Sequence, residues 1–138
     1  MQQDMTTLTI QTRGRGMIEF TRMVTQWVRA SGISDGLLTV FCRHTSASLT
    51  IQENAAAEVP RDIVDWLDRL APEDGGWLHD SEGPDDMPAH LKSVLTGVSL
   101  SIPVAGGMPV LGTWQGIYLV EHRARPHSRE VVLHLLGE

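Results

Sequence analysis

The C-terminal part of the chain holds three strand-forming runs, residues 98–104, 113–122 and 129–136. They lie too close together for alternating βαβ units, because a parallel neighbour needs a crossover of a dozen or more residues. The spacing therefore predicts a mainly antiparallel sheet. Gly106-Gly107-Met108-Pro109 marks a turn between the first two runs. Residues 129–136 carry apolar side chains on both faces, which predicts a sheet covered on two sides.

The upstream half supplies helices and further strands. Residues 8–12 alternate apolar and polar and predict a strand. Arg13-Gly14-Arg15-Gly16 breaks it; a glycine turn before a helix can receive phosphate, but a plain loop is the better reading. Phe20, Met23, Val24, Trp27 and Val28 recur at three- and four-residue spacing, one face of a helix that Gly32 stops. Residues 36–43 predict a buried strand and residues 48–52 a short one. Asn54 is the expected cap of a second helix with Ile63, Val64, Trp66, Leu67 and Leu70 on its apolar face. Pro60 either kinks that helix or marks where its regular part begins. A loop covers residues 72–77. A third helix starts near Asp86, with Pro88 in its first turn and Met87, Leu91, Val94, Leu95 and Val98 as its core face. The fold class is α+β with about three helices.

A chain of 138 residues predicts a single domain, 1–138, with room for a core that needs neither disulfide nor structural metal. Cys42 is the one cysteine, so no internal disulfide exists, and it reads as a core residue. The net charge of −6, with no basic stripe, argues against a nucleic-acid partner. No apolar run approaches the roughly 18 residues that span a bilayer. The first residues lack a charged start followed by an apolar stretch, so the expected compartment is the cytoplasm.

The chemistry concentrates in residues 79–90, which hold two histidines and four carboxylates. His79 and His90 bracket Asp80, Glu82, Asp85 and Asp86, and a solvated acidic run is not usually framed by imidazoles. A second cassette, Cys42-Arg43-His44-Thr45-Ser46-Ala47-Ser48, lies upstream. Three histidines, His44, His79 and His90, predict one polar site that binds a metal or performs acid–base work. Asp86 and His90 are four apart, so on a helix they share a face and Asp86 can orient the ring. Asp85 and Asp86 could instead cap the helix. Glu82-Gly83-Pro84 is a turn that would fix these groups. A serine nucleophile beside His44 is conceivable, but hydrogen bonding by Ser46 is the better reading. Gln115 and Glu121 are polar positions on an apolar strand, and Arg129 opens the last one. They are either substrate contacts or, for Glu121 and Arg129, an ion pair across neighbouring strands.

Taken in order, His44-Thr45-Ser46-Ala47, His79, the run Glu82-Gly83-Pro84-Asp85-Asp86-Met87-Pro88-Ala89-His90, Gly112-Thr113-Trp114-Gln115, Glu121 and Arg129 resemble the YjbQ family, whose members carry the name secondary thiamine-phosphate synthase. The likeness spans nearly the whole chain, and residues 83–90 are its most specific part. The resemblance implies an α+β sandwich, a homotrimer with sites near subunit interfaces, and His44, His79 and His90 gathered in one cavity able to hold a divalent metal, zinc or magnesium. No organic cofactor is implied. It implies a small phosphorylated substrate: hydroxymethylpyrimidine pyrophosphate joined to a thiazole phosphate, giving thiamine phosphate and pyrophosphate, as a main or side activity. His44, His79, His90, Asp86 and Glu82 would be catalytic, with Ser46, Asp85, Gln115, Glu121 and Arg129 as substrate contacts. Departure of pyrophosphate needs positive charge on its oxygens, from Arg43, Arg129 or a bound cation. Trp77 or Trp114 could stack on the pyrimidine, or pack in the core. Two rivals use the same residues: a metal-dependent hydrolase of a small phosphorylated or ester compound, and a non-enzymatic binder of a metal or small anion.

Overall fold

A computed structural model describes residues 1–138. The strands are β1 (Gln2–Gln11), β2 (Gly16–Glu19), β3 (Gly36–Cys42), β4 (Ala47–Glu53), β5 (Ser99–Ala105), β6 (Met108–Pro109), β7 (Gln115–Glu121) and β8 (Ser128–Gly137). The helices are α1 (Thr21–Ser31), α2 (Glu58–Leu70) and α3 (Asp86–Thr96). Five strands form one sheet in the order β1-β8-β3-β5-β6, and three form a second in the order β2-β7-β4. Every pairing is antiparallel. The α+β class and antiparallel sheets expected from strand spacing are what the chain adopts.

The core lies between the sheets. Leu38, Val40, Val131, Leu133 and Leu135 of the larger sheet meet Leu49, Ile117 and Leu119 of the smaller, with Val24 and Val28 of α1 closing the side. Gly32 ends α1 in the left-handed region at φ +75°, where an L side chain is disfavoured. The smaller sheet is covered twice. Its second face lies beneath α2 and α3, where Val64 and Leu67 stand beside Val120 and His122. That is why β7 is buried from Gly116 to Glu121.

The outer face of the larger sheet has no such cover. Val131, Leu133 and Leu135 are buried, whereas Leu136 on the opposite face is exposed. The double covering expected for residues 129–136 belongs to β7 instead. Three further expectations need correction. β2 follows the glycine turn directly, a strand of four residues that periodicity cannot register. Asn54 does not cap α2, which starts at Glu58 with Pro60 in its first turn; the Asn54 amide donates to Glu19 at 3.0 Å.

The expected core face of α3, Met87, Leu91, Val94, Leu95 and Val98, is not the face it buries. α3 turns its polar face inward. Asp86, Ala89, Lys92 and Ser93 are buried, while Val94 is 84% and Leu95 55% exposed. Each inward polar group has a partner. Lys92 Nζ donates to Asp68, Ser93 Oγ to the Ala47 carbonyl at 3.0 Å, and Thr96 Oγ1 to Ser48. Satisfied in this way, polar groups bury without the penalty that an unpaired group carries.

Candidate functional site

Three elements meet at the N-terminal end of α3. Residues 79–85 loop across it, the β3–β4 connection brings Thr45, and the segment that follows β7 brings Arg123. Pro88 is tolerated in the first turn of α3, where backbone N–H groups have no intrahelical partner. One turn on, His90 lies on the same face as Asp86. Gly83 turns the loop with φ +101°, and a Cβ there would stand 3.3 Å from Asp85 Oδ1.

The outcome is a compact set of donors. His79 Nε2 lies 2.7 Å and His90 Nε2 3.1 Å from the same oxygen, Asp86 Oδ2. The three ligand atoms lie within 4.8 Å of one another. The two imidazoles face each other with ring centroids 5.6 Å apart. His90 Nδ1 is 2.8 Å from the Thr45 carbonyl. Glu82 stands outside the set, its Oε2 3.6 Å from His79 Nε2 and largely exposed. Burial alone would raise the Asp86 pKa. The hydrogen bond from His79 and the positive charge of Arg123 outweigh burial and hold it below the usual carboxylate range.

Arg123 is a site residue that no motif in the sequence marks. Its guanidinium donates to Asp86 Oδ1 at 2.7 Å, to Asp85 Oδ2 at 3.1 Å and to the Glu82 carbonyl at 3.0 Å. Asp85 also accepts the Ala124 N–H at 2.8 Å, so its carboxylate is not a helix cap. Those bonds lower the Asp85 pKa against the opposing effect of burial. The available sequence signal was Glu-x-Arg closing an apolar strand, too short to mark a partner 37 positions away.

The remaining candidates take other places. His44 is outside the ligand set: its Nε2 accepts the Glu130 N–H at 2.8 Å. Burial, then the Arg129 charge, lowers its pKa, which fits an accepting ring nitrogen. His44 and His90 do share a groove of about 680 Å³, walled also by Thr45, Ser93, Val94 and Val98. A smaller cavity of about 320 Å³ opens on the His79 side, between Trp77, Asp80 and Pro84. Trp77 therefore stands beside the site, while Trp114, just before β7, is 63% exposed. Gln115 opens β7, roughly 20 Å of strand from Glu121, and accepts the Gly112 N–H at 2.8 Å.

Glu121 and Arg129 form a buried ion pair, Nε to Oε1 at 2.8 Å with a second bond from Nη2 to Oε2. The strands are not neighbours: Glu121 is on the smaller sheet and Arg129 on the larger, so the pair bolts one sheet to the other. Thr12 donates to Glu121 at 2.7 Å, and Ser46 Oγ accepts from Arg129 at 3.0 Å. Burial opposes the charge on Glu121, but the Arg129 and Thr12 bonds hold its pKa below normal. Cys42 is buried, which pushes its thiol up to about 11. No helix is long and apolar enough to cross a membrane.

A family model described as UPF0047 protein YjbQ-like matches residues 6–138. The chain is 51% identical over 132 residues to a UPF0047 protein of Synechocystis sp., covering 95% of this chain and 90% of that one. It is 42% identical to the UPF0047 protein YjbQ of Escherichia coli, with 96% of both chains covered. Among solved structures it is similar to a hypothetical protein of Aeropyrum pernix, with a TM-score of 0.89, 33% identity, and 98% of this chain and 99% of that one covered. A Clostridium acetobutylicum protein of the YjbQ/UPF0047 family, described as uncharacterized, superposes with a TM-score of 0.88 at 38% identity, covering 95% and 99%.

Proposed function

The chain belongs to the YjbQ-like UPF0047 family, and on that footing we propose that it is an enzyme acting on a small phosphorylated substrate at the His79–Asp86–His90 centre, with a divalent cation held there. The orientation of His90 carries this reading. A carbonyl oxygen only accepts, so Nδ1, facing Thr45, bears the ring proton. A neutral His90 then aims the Nε2 lone pair at Asp86 Oδ2, 3.1 Å away. Two electron-rich atoms so placed repel unless positive charge joins them. A proton on Nε2 relieves this, and so does a cation shared by Nε2, Oδ2 and the Nε2 of His79. Two imidazole nitrogens and one carboxylate oxygen suit zinc better than magnesium, which prefers oxygen ligands.

A cation in this place would polarise a phosphoryl oxygen or activate a bound water. The protein's own groups do the rest. Thr45 fixes the His90 tautomer. The groove on the His90 side has no lysine or arginine in its wall and seats an uncharged part of the substrate. The polar cavity beside Trp77 takes a second group across the imidazole pair. Two cavities flanking one centre support a reaction with two substrates, and thiamine phosphate formation from the pyrimidine pyrophosphate and thiazole phosphate is the transfer we assign. A second reading, hydrolysis of a small phosphoester, is favoured by Glu82, whose exposed carboxylate beside His79 can serve as a base.

The test is elemental analysis of tag-free protein beside four variants. About one zinc per chain is expected, kept in His44→Ala and lost in His79→Ala, His90→Ala and Asp86→Asn. No metal after incubation with zinc would sink the cation reading. Thiamine phosphate formed by protein free of host synthase would favour the transfer; turnover of phosphoesters alone would favour hydrolysis.

The bare face of the larger sheet supports self-association. Leu37 and Leu136 are register partners on it, joined by Phe41 and Met5, and all four are exposed. We assign this surface to contacts among three copies, with light scattering expected to give three times the 15.2 kDa chain mass. Phe41→Glu should lower that mass; a wild-type monomer at micromolar concentration would refute the assembly.

A further inference from the structure

One guanidinium grips a whole turn of the site. Arg123 reaches Asp86, Asp85 and the Glu82 carbonyl at once, in a planar array that a guanidinium matches and an ammonium does not. Its own backbone is fixed in turn, since the Arg123 N–H donates to Glu121 Oε2 at 3.1 Å. A chain of bonds therefore runs from the joint between the sheets, Arg129–Glu121, through Arg123 to the carboxylate between His79 and His90. On the reading that this centre holds a cation, we propose that Arg123 is its positioning residue: by occupying Asp86 Oδ1 it limits Asp86 to one ligand oxygen and turns that oxygen, Oδ2, toward both imidazoles. The consequence is selectivity. A carboxylate restricted to one oxygen beside two nitrogens suits a four-coordinate ion such as zinc or cobalt. Calcium, which takes six to eight oxygens and often both oxygens of a carboxylate, is excluded.

Metal-free wild type, Arg123→Gln and Arg123→Lys are titrated with Co²⁺, followed by its visible absorption, and with Zn²⁺ by competition. Loss of a residue that orients a ligand typically lowers metal affinity by about 10–100-fold. Both variants are expected to weaken by that factor and to show an altered cobalt spectrum, because the freed carboxylate can rotate. Arg123→Lys with wild-type affinity and spectrum would overturn the proposal, since charge alone would then suffice. It also decides the matter if Arg123→Gln fails to fold. Should wild type bind neither metal, the cation reading falls by itself. The ring ¹⁵N signals of His79 and His90 in metal-free protein then decide: a change in Arg123→Gln supports the positioning role, and unchanged signals overturn it.

Discussion

Replacing Glu121 with alanine is expected to cost about 3–5 kcal/mol of stability, the range for removing one partner of a buried pair. The carboxylate side chain is fully buried and accepts two bonds from the Arg129 guanidinium. Alanine leaves Arg129 charged in a nearly closed space. It also strips an acceptor from Thr12 Oγ1 and from the Arg123 N–H. For a chain of this length the melting point should fall on the order of 10–20 °C. Exchanging both partners, Glu121→Met with Arg129→Met, should recover much of the loss, because paired apolar replacement of a buried ion pair is often neutral. Thermal melts of the single and double variants check this. A loss under about 1 kcal/mol for the single variant would mean that Arg129 finds another counter-charge or reaches water.

Acid should destabilise the protein through His122 before its carboxylates protonate. The ring is buried, with Nε2 2.8 Å from Ser48 Oγ. Burial, helped by the nearby Lys92 ammonium, lowers its pKa to about 3. In the unfolded chain the ring titrates near 6.5. Between these values the unfolded state binds a proton that the folded state refuses, so stability falls as the pH drops from about 6.5 toward 3. The slope approaches ~1.4 kcal/mol per pH unit, and the loss from pH 7.5 to 4.5 is ~3 kcal/mol. Asp85, Asp86 and Glu121, with lowered pKa values, add their losses from about pH 5 downward, as their unfolded-state carboxyls take up protons. His122→Gln keeps a polar neutral group and should flatten the upper part of the curve. Urea unfolding of both proteins across that range is the measurement. Parallel curves would show that His122 is not the sensing group.

Where local pattern and tertiary packing agree, the elements were legible. α1 could be placed from Phe20, Val24 and Val28 with Gly32 behind them, and the antiparallel sheets followed from strand spacing. The face of α3 could not, because periodicity counts apolar residues. Here burial went to Asp86, Lys92 and Ser93, whose partners lie on other elements. The pairing of Asp86 with His90 was readable at four-residue spacing. The place of His44 was not, since it depends on where the β3–β4 connection passes. Arg123 was invisible for a related reason: one basic residue in a loop says nothing until the fold brings a turn against it. Glu121 and Arg129 were recognised as a possible pair, but two strands near in sequence joined different sheets.

The pairing of β1 with β8 sets the order in which this molecule can be assembled. Gln2 lies opposite Gly137, and β8 fills the space between β1 and β3. During synthesis the first strand has no partner until the last one exists. The helices and the β4–β7 pairing can form earlier, but the larger sheet closes late, through contacts of very high sequence separation, which slow folding. Until then β1 exposes both edges, and any cellular factor that guards nascent strands has its longest task at this end of the chain.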